Sequence, residues 1–433
     1  MKTKTIPKTL SGFMELDPND QVLFNKIKDV IESTYKCYGF YPLDTPIIEY
    51  SDVLLAKAGG ETEKQIYRFL KGDNDLSLRF DMTVPLAKYV AQRYNNLVFP
   101  FKRYQIGKVF RGERPQKGRF REFYQCDIDV IGDEELSLMY DAEMPVIIYD
   151  IFKKLDFGEF VIKINNRKIL KGFLEELNLV SQTEEILRII DKIDKIGKEE
   201  VKSELLALNI NEGLVNKIID FISISGSNKE KIIALKNLNI QNDTFIKGVN
   251  ELETVINNIQ NYYNLSNIEI NFTITRGLDY YTGTVYETFL KDYPSIGSVC
   301  SGGRYESLAE YYTEKRLPGV GISIGLTRLF YQLKEANLIK EQNNSAADYM
   351  IIPMIEDYRY IESVANELRK NNIAVDVCYL EKDFKKKLRY ADRLNISYVI
   401  IIGEDEVNNN YLTLKNMQDG TQKQITINDL LKK

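Results

Sequence analysis

Histidine is absent from all 433 residues of the chain. No imidazole is therefore available as a general base, as part of a Ser-His-Asp or Cys-His nucleophile system, or as a metal ligand. Cysteine is scarce. Cys37, Cys126, Cys300 and Cys378 are the four present, and no two form a CxxC pair, which argues against a structural zinc site. Widely spaced cysteines without a secretory signal suit a reducing compartment. No apolar run approaches the ~20 residues that cross a bilayer. The opening MKTKTIPKTLSGFMELDP has no apolar stretch of the signal-peptide kind. The expectation is a cytoplasmic protein with no membrane partner. Its chemistry is left to carboxylates, arginines, lysines, tyrosines, backbone or a bound ion.

An overall excess of positive charge is also missing. Lysine and arginine number 58 against 63 acidic residues, for a net charge of −5, so global charge does not point to nucleic acid. Locally the balance reverses. From Lys102 to Arg121 the basic residues are Lys102, Arg103, Lys108, Arg111, Arg114, Lys117, Arg119 and Arg121, and the one acid among them is Glu113. Arginines there alternate with aromatics and glycines, which suits a folded anion-binding site better than a solvated tail.

At roughly 150 residues per domain, the length suggests two to four domains. Helical spacing of Leu23, Ile27, Val30, Ile31 and Tyr35 predicts a helix, with Asn19 or Asp20 as its cap. Short strands are expected at Leu76–Phe80 and Tyr104–Ile106. Phe123–Val130 alternates, with Phe123, Gln125, Asp127 and Asp129 on one face and Tyr124, Cys126, Ile128 and Val130 on the other. The polar face suits either water or the floor of a polar pocket. From 171 to 260 the pattern turns helical, with Ile186, Ile189, Ile190, Ile193 and Ile196 in register and Ser181 with Glu184 as a capping-box pattern. Strand-like alternation returns at Ile268, Ile270 and Phe272. After Asn343-Asn344-Ser345-Ala346 the pattern is strand, helix, strand, helix, strand, which predicts a small α/β domain with a mainly parallel sheet. The expected divisions are a catalytic domain in two parts (1–170 and 261–335), a helical insertion (171–260), a linker (336–346) and a C-terminal domain (347–433).

Seven stretches in order resemble the histidyl-tRNA synthetases, a family of class II aminoacyl-tRNA synthetases. GFYPLDTPIIEY is similar to the dimer-forming first motif, and LRFDMTVPLAKY to the amino-acid-binding strand. VFRGERPQKGRFREFYQCDIDVIG resembles the second class motif and its loop. RGLDYYTGTVYE and SGGRYESL resemble two stretches special to the histidine enzymes, and GVGISIGLTRLF the third class motif. YADRLNISYVIIIGEDE is similar to part of the anticodon-binding domain. The resemblance implies an α+β catalytic domain with an antiparallel sheet, a helical insert and a C-terminal α/β anticodon-binding domain.

It also implies an activity: ATP-dependent formation of histidyl-adenylate, then transfer to the 3′ end of tRNA(His). On that resemblance Arg111 and Arg276 contact the α-phosphate, and Arg119 and Arg328 hold the γ-phosphate end. Glu113 reads the adenine amino group and Phe123 stacks on the ring. Asp81, Thr83 and Gln125 match the ammonium site. Asp129, Tyr281 and Tyr305 match the imidazole pocket, with Tyr280 beside it, and Arg276 borders the histidine. Gln116, Lys117 and Arg121 are expected to meet the tRNA acceptor end. Mg²⁺ is expected to arrive with ATP, without assigned protein ligands, and the protein is expected to be a homodimer. Two departures stand out. Asp81 and Asp129 are one carbon shorter than the glutamates of many bacterial members, and Thr327 replaces the glutamate that usually precedes the third-motif arginine. Two other readings remain. One is a histidine-sensing regulatory relative from the ATP phosphoribosyltransferase complex, which typically lacks the anticodon-binding domain. The other is a general RNA-binding module.

Overall fold

The computed structural model describes residues 5–56, 61–114, 118–274, 280–339 and 345–432. The strands, in chain order, are β1 (Tyr41–Pro42), β2 (Ile48–Tyr50), β3 (Arg68–Lys71), β4 (Asn74–Leu78), β5 (Phe101–Phe110), β6 (Glu122–Ile131), β7 (Phe160–Asn166), β8 (Ile268–Ile270), β9 (Thr284–Leu290), β10 (Cys300–Tyr305) and β11 (Gly319–Ile324). The C-terminal segment adds β12 (Tyr349–Pro353), β13 (Val375–Val377), β14 (Tyr398–Ile402), β15 (Leu412–Asn416) and β16 (Gln422–Ile425).

Eight strands make the main sheet, in the order β1-β5-β6-β11-β10-β9-β7-β8. Its middle, from β5 to β7, is antiparallel throughout. The edge strands β1 and β8 join it in parallel. β2, β4 and β3 form a separate antiparallel sheet of three strands. The long pairing of β5 with β6, from Phe101–Ile131 to Phe110–Glu122, carries the whole basic stretch up to the turn.

β6 keeps the expected alternation. Cys126, Ile128 and Val130 are wholly buried on one face. On that side the helix Pro18–Cys37 lays down Ile31 and Tyr35, and the Tyr35 hydroxyl donates to the Cys126 carbonyl at 3.0 Å. The opposite face is not water-exposed either, since Asp127 and Asp129 are each 3% exposed. Two sequence expectations need correcting here. The helix starts at Pro18, which suits the first turn because its missing N–H costs no bond there, and Asp17 rather than Asn19 or Asp20 accepts the Asp20 N–H at 3.0 Å. The box expected at Ser181 and Glu184 does not form: Ser181 lies in a 3₁₀ turn and the helix Thr183–Ile190 has no side-chain cap. The capping box in this region belongs to Ser227 and Glu230.

Helices follow β7 from Arg167 to Asn258, and the chain then returns to the sheet at β8. The helix Met139–Leu155 covers the sheet and is tied to it by Asp141, which pairs with Arg304 of β10 at 2.5 Å. Both partners are buried.

The chain divides into two units, one holding the described residues up to Glu15 with Ile27–Ile339, the other Leu16–Lys26 with the described residues from 345 on. Residues 340–344, part of the expected linker, lie outside the described residues. The C-terminal sheet has the order β13-β12-β14-β15-β16. β12, β13 and β14 are parallel, as the strand–helix alternation predicts. β15 and β16 close it as an antiparallel hairpin that the sequence pattern does not announce.

Candidate active site

A cavity of about 320 Å³ opens where the ends of β5, β6, β10 and β11 meet. Arg111, Glu113, Arg119, Phe123, Gln125 and Arg328 line it, together with Gln65, Phe120 and a rim from Ser298 to Ser301. Three arginines against one glutamate make it an anion site. Each arginine is placed by a different element. Arg111 follows β5 directly; its Nε donates to the Phe80 carbonyl at 3.0 Å and its guanidinium lies 5.2 Å from the centre of the Phe123 ring. Arg119 is half-exposed and reaches Glu113 at 3.4 Å. Arg328 stands in the first turn of the helix Leu326–Glu335 and donates to the Ile296 carbonyl at 3.0 Å. Its pKa is pushed down by burial and by the neighbouring Arg119. An anion placed between these two would relieve both effects.

Beneath the cavity lies a second, drier group of polar side chains. Gln125 belongs to both, because it lines the cavity and begins the polar row Gln125, Asp127, Asp129 along β6. Asp129 uses both oxygens. Arg103 of β5 pairs with Oδ2 at 2.7 Å, and the Tyr305 hydroxyl of β10 donates to Oδ1 at 2.9 Å. The carboxylate can lie across β11 because its neighbour there is glycine. A Cβ on Gly321 would stand 2.2 Å from Asp129 Oδ1. Asp81 precedes the helix Thr83–Arg93; its Oδ1 accepts the Val84 N–H at 3.2 Å and its Oδ2 faces the Tyr280 hydroxyl at 3.5 Å. Thr83 is buried beside them and hydrogen-bonds Tyr280. Tyr280 packs edge-on against Tyr281 at 4.9 Å and Tyr305 at 5.9 Å.

Burial dominates the electrostatics of this group. Desolvation pushes Asp81 up to about 7, against the pull of the Val84 N–H and of Arg111. Desolvation likewise pushes Asp129 up to about 7, against the pull of Arg103. Asp127 is raised for the same reason. Of the three buried carboxyls only Asp129 is ion-paired among the described residues, to the fully buried Arg103, and for each of them the cost of burial outweighs the pull of nearby guanidinium groups.

The structure thus brings Asp81, Thr83, Gln125, Asp129, Tyr280, Tyr281 and Tyr305 together, next to a cavity that holds Arg111, Glu113, Arg119, Phe123 and Arg328. Arg276, Gln116 and Lys117 lie outside the described residues. Arg121 is turned inward. Its Nε donates to the Glu113 carbonyl at 3.0 Å and its Nη1 to the Ser11 carbonyl at 3.4 Å, which ties the N-terminal segment to the second-motif turn. The basic stretch is therefore not one surface. Lys102 pairs with Glu143, Lys108 with Glu122 and Arg103 with Asp129. Thr327 has a definite task. β11 ends its pairing with β6 at Ile324–Cys126, and two residues along β6 the Tyr124 N–H donates to the Thr327 hydroxyl at 2.8 Å. Arg103 and Asp127 stand in this group without having been singled out for it. For Asp127 the period-2 pattern was signal enough. For Arg103 the sequence shows one more basic residue in a basic run.

Comparisons with known proteins bear on the family of the chain. The family model described as "Histidyl-tRNA synthetase" matches residues 12–329, and that described as "Anticodon binding domain" matches 348–433. The chain is 56% identical to the histidine–tRNA ligase of Clostridium tetani over 98% of this chain and 97% of that protein. It is 51% identical to that of Finegoldia magna over 99% of each. The crystal structure of histidyl-tRNA synthetase from Nostoc sp. PCC 7120 superposes with a TM-score of 0.92 at 41% identity, covering 99% of both chains. A chain from Bacillus halodurans C, described as an ATP phosphoribosyltransferase regulatory subunit/histidyl-tRNA synthetase, shares the fold with a TM-score of 0.75 at 18% identity. Family match and near full-length relatives point the same way as the two adjoining sites, and the chain belongs to the histidyl-tRNA synthetase family.

Proposed function

We propose that the chain activates L-histidine with ATP and transfers the histidyl group to the 3′ end of tRNA(His). The observation that carries this reading is the adjacency of an arginine-lined cavity and a buried carboxyl–tyrosine pocket, joined through Gln125. The histidine carboxylate attacks the α-phosphorus of ATP, an oxygen–phosphorus bond forms, and the bond to pyrophosphate breaks. The tRNA ribose hydroxyl then attacks the acyl carbon and AMP leaves. Both steps call for alignment and for stabilisation of developing negative charge rather than for a covalent protein intermediate. A chain without histidine meets that need with guanidinium groups, which stay charged and grip two oxygens at once.

In this reading Arg111 meets the α-phosphate, Arg119 and Arg328 the γ-phosphate end, Glu113 the adenine amino group and Phe123 the adenine face. Arg276 is assigned to the α-phosphate on the resemblance alone. Asp81, Thr83 and Gln125 take the ammonium, and Asp129, Tyr305 and Tyr281 the imidazole. A pocket that hydrogen-bonds the ring rejects analogues lacking it by about 10⁴-fold or more, because its polar groups would be left unpaired. Among the described residues no group of three or more acidic or cysteine side chains converges as a metal cage. Mg²⁺ would accordingly be held mainly by the ATP phosphates. The tRNA would meet the second-motif loop at Gln116 and Lys117 and the 347–433 domain, while Arg121 holds the base of that loop to the Glu113 and Ser11 carbonyls.

A homodimer is part of this reading. Tyr41, Ile48, Tyr50, Phe69 and Leu70 are all exposed on β1 and the three-stranded sheet, and Leu70 is 75% exposed. Exposed apolar side chains of this kind suit a protein partner, here a second copy. No helix among the described residues is long and apolar enough to cross a membrane, which suits work in the cytoplasm. The test is ATP–pyrophosphate exchange with each amino acid in turn. Exchange with histidine alone is expected. Histidine binding without exchange would favour the regulatory relative instead.

A further inference from the structure

The geometry points to Asp127 as a substrate-binding residue, a second carboxylate for the α-ammonium group of the amino acid. The inference rests on the reading of this site as a histidine-activating one and adds a residue to it. Asp127 stands on β6 between Gln125 and Asp129, on the same face. At ~3.3 Å of rise per residue the three side chains are spaced ~7 Å apart. Gln125 borders the nucleotide cavity, where the reacting carboxylate must lie. Asp129, held by Arg103 and Tyr305, stands at the far end of the row. The α-carbon of an amino acid laid along the row, with its ring at Asp129, falls over Asp127.

The hydrogen bonding agrees. Asp129 has a partner on each oxygen, but Asp127 Oδ1 is buried with no hydrogen-bond partner, and so is Gln125 Oε1. These are neighbouring acceptors on one face, and both lack donors. Gln125 spends an amide N–H on Ser323 at 2.7 Å, and Ser323 is in turn hydrogen-bonded to Asp127, which leaves Oδ1 as the unpartnered oxygen. The Arg103 Nη2 that reaches Asp129 also donates to the Met82 carbonyl at 3.1 Å; its Nε and Nη1 are buried without a partner, and no ion pair joins Arg103 to Asp127 among the described residues. A buried carboxylate oxygen without a donor is costly. An ammonium group brings three N–H donors, enough for Asp127, Gln125 and Asp81, which lies close enough for the Asp127 charge to raise its proton affinity.

The experiment compares Asp127→Asn with the unaltered full-length protein in ATP–pyrophosphate exchange, using two histidine analogues as competitors. Histidinol keeps the amino group and lacks the carboxylate. 3-(Imidazol-4-yl)propanoate keeps the carboxylate and lacks the amino group. Loss of one charge-assisted hydrogen bond should raise KM for histidine about tenfold or more, weaken histidinol by the same factor, and leave both the propanoate and KM for ATP unchanged. Equal weakening of both analogues, or an unchanged KM for histidine, would overturn the assignment. Should the Asn variant fail to fold, Asp127→Ser repeats the comparison with a smaller polar group. Absence of histidine-dependent exchange in the unaltered protein would instead refute the functional reading itself.

Discussion

Arg103 and Asp129 meet at 2.7 Å with 0% and 4% of their side chains exposed, so the acid at the deep end of the amino-acid pocket owes its charge to a single guanidinium. Removing one member of such a pair leaves the other buried and uncompensated. Arg103→Met should destabilise the protein by about 3–5 kcal/mol, measured by urea unfolding. It should also raise KM for histidine, because Asp129 would then hold its proton at neutral pH. Arg103→Lys keeps the charge but not the planar fork, and should recover part of both losses. A Met variant with unchanged histidine KM would show that Asp129 works without its partner.

The raised carboxyls give the amino-acid site a pH dependence of definite sign. Asp81 and Asp129 lie near 7 in the folded protein, above the ordinary carboxyl range. The folded chain therefore holds protons that the unfolded chain has already lost, and these two groups subtract stability as pH rises from about 4 towards 7. The ammonium needs Asp81 ionised and a ring N–H needs Asp129 ionised to accept it, so histidine binding below pH 7 must expel protons. Affinity should fall by up to about tenfold per expelled proton for each pH unit below 7. Calorimetry in buffers of different ionisation enthalpy should record proton release at pH 6 and little at pH 8. Asp81→Asn should remove one proton from the count.

The Thr327 hydroxyl accepts the Tyr124 N–H at 2.8 Å, just beyond the last β6–β11 pair. The residue is 2% exposed, so no water replaces the bond in Thr327→Val. A loss of about 1–3 kcal/mol is expected, read as a lower Tm. Because Tyr124 lies next to Phe123 and Gln125, KM for ATP and for histidine should both rise modestly. Thr327→Ser should restore most of the stability.

Arg276→Ala tests the residue that the resemblance alone places at the α-phosphate. Its charge is needed chiefly where negative charge builds in the transition state. Pyrophosphate exchange should fall by orders of magnitude while equilibrium binding of histidine, followed by calorimetry, changes little. Reduced histidine affinity with intact turnover of bound substrate would assign Arg276 to the ground state instead.

Much of this protein was legible in one dimension. The period-2 run of β6 put Gln125, Asp127 and Asp129 on one face, and the ordered motifs named Arg111, Glu113, Arg119, Phe123, Gln125 and Arg328, which line the cavity beside residues such as Gln65, Phe120 and Ser323 that they did not name. The absence of histidine excluded imidazole chemistry outright. Local pattern carries such information because strand and helix periods depend on near neighbours alone. Tertiary structure decided what depends on contacts between strands far apart in sequence. Lys102, Arg103, Lys108 and Arg121 look alike as members of one basic run, yet the fold sends the first three to Glu143, Asp129 and Glu122 and turns the fourth onto backbone carbonyls. Thr327 reads as a defect in a motif until its hydroxyl is seen on a strand 203 residues away. Which carboxyls are dry, and hence which hold protons near pH 7, follows from the packing of β5, β6, β10 and β11 around them. Burial sets that cost, and it arises only when distant segments close over the same side chain.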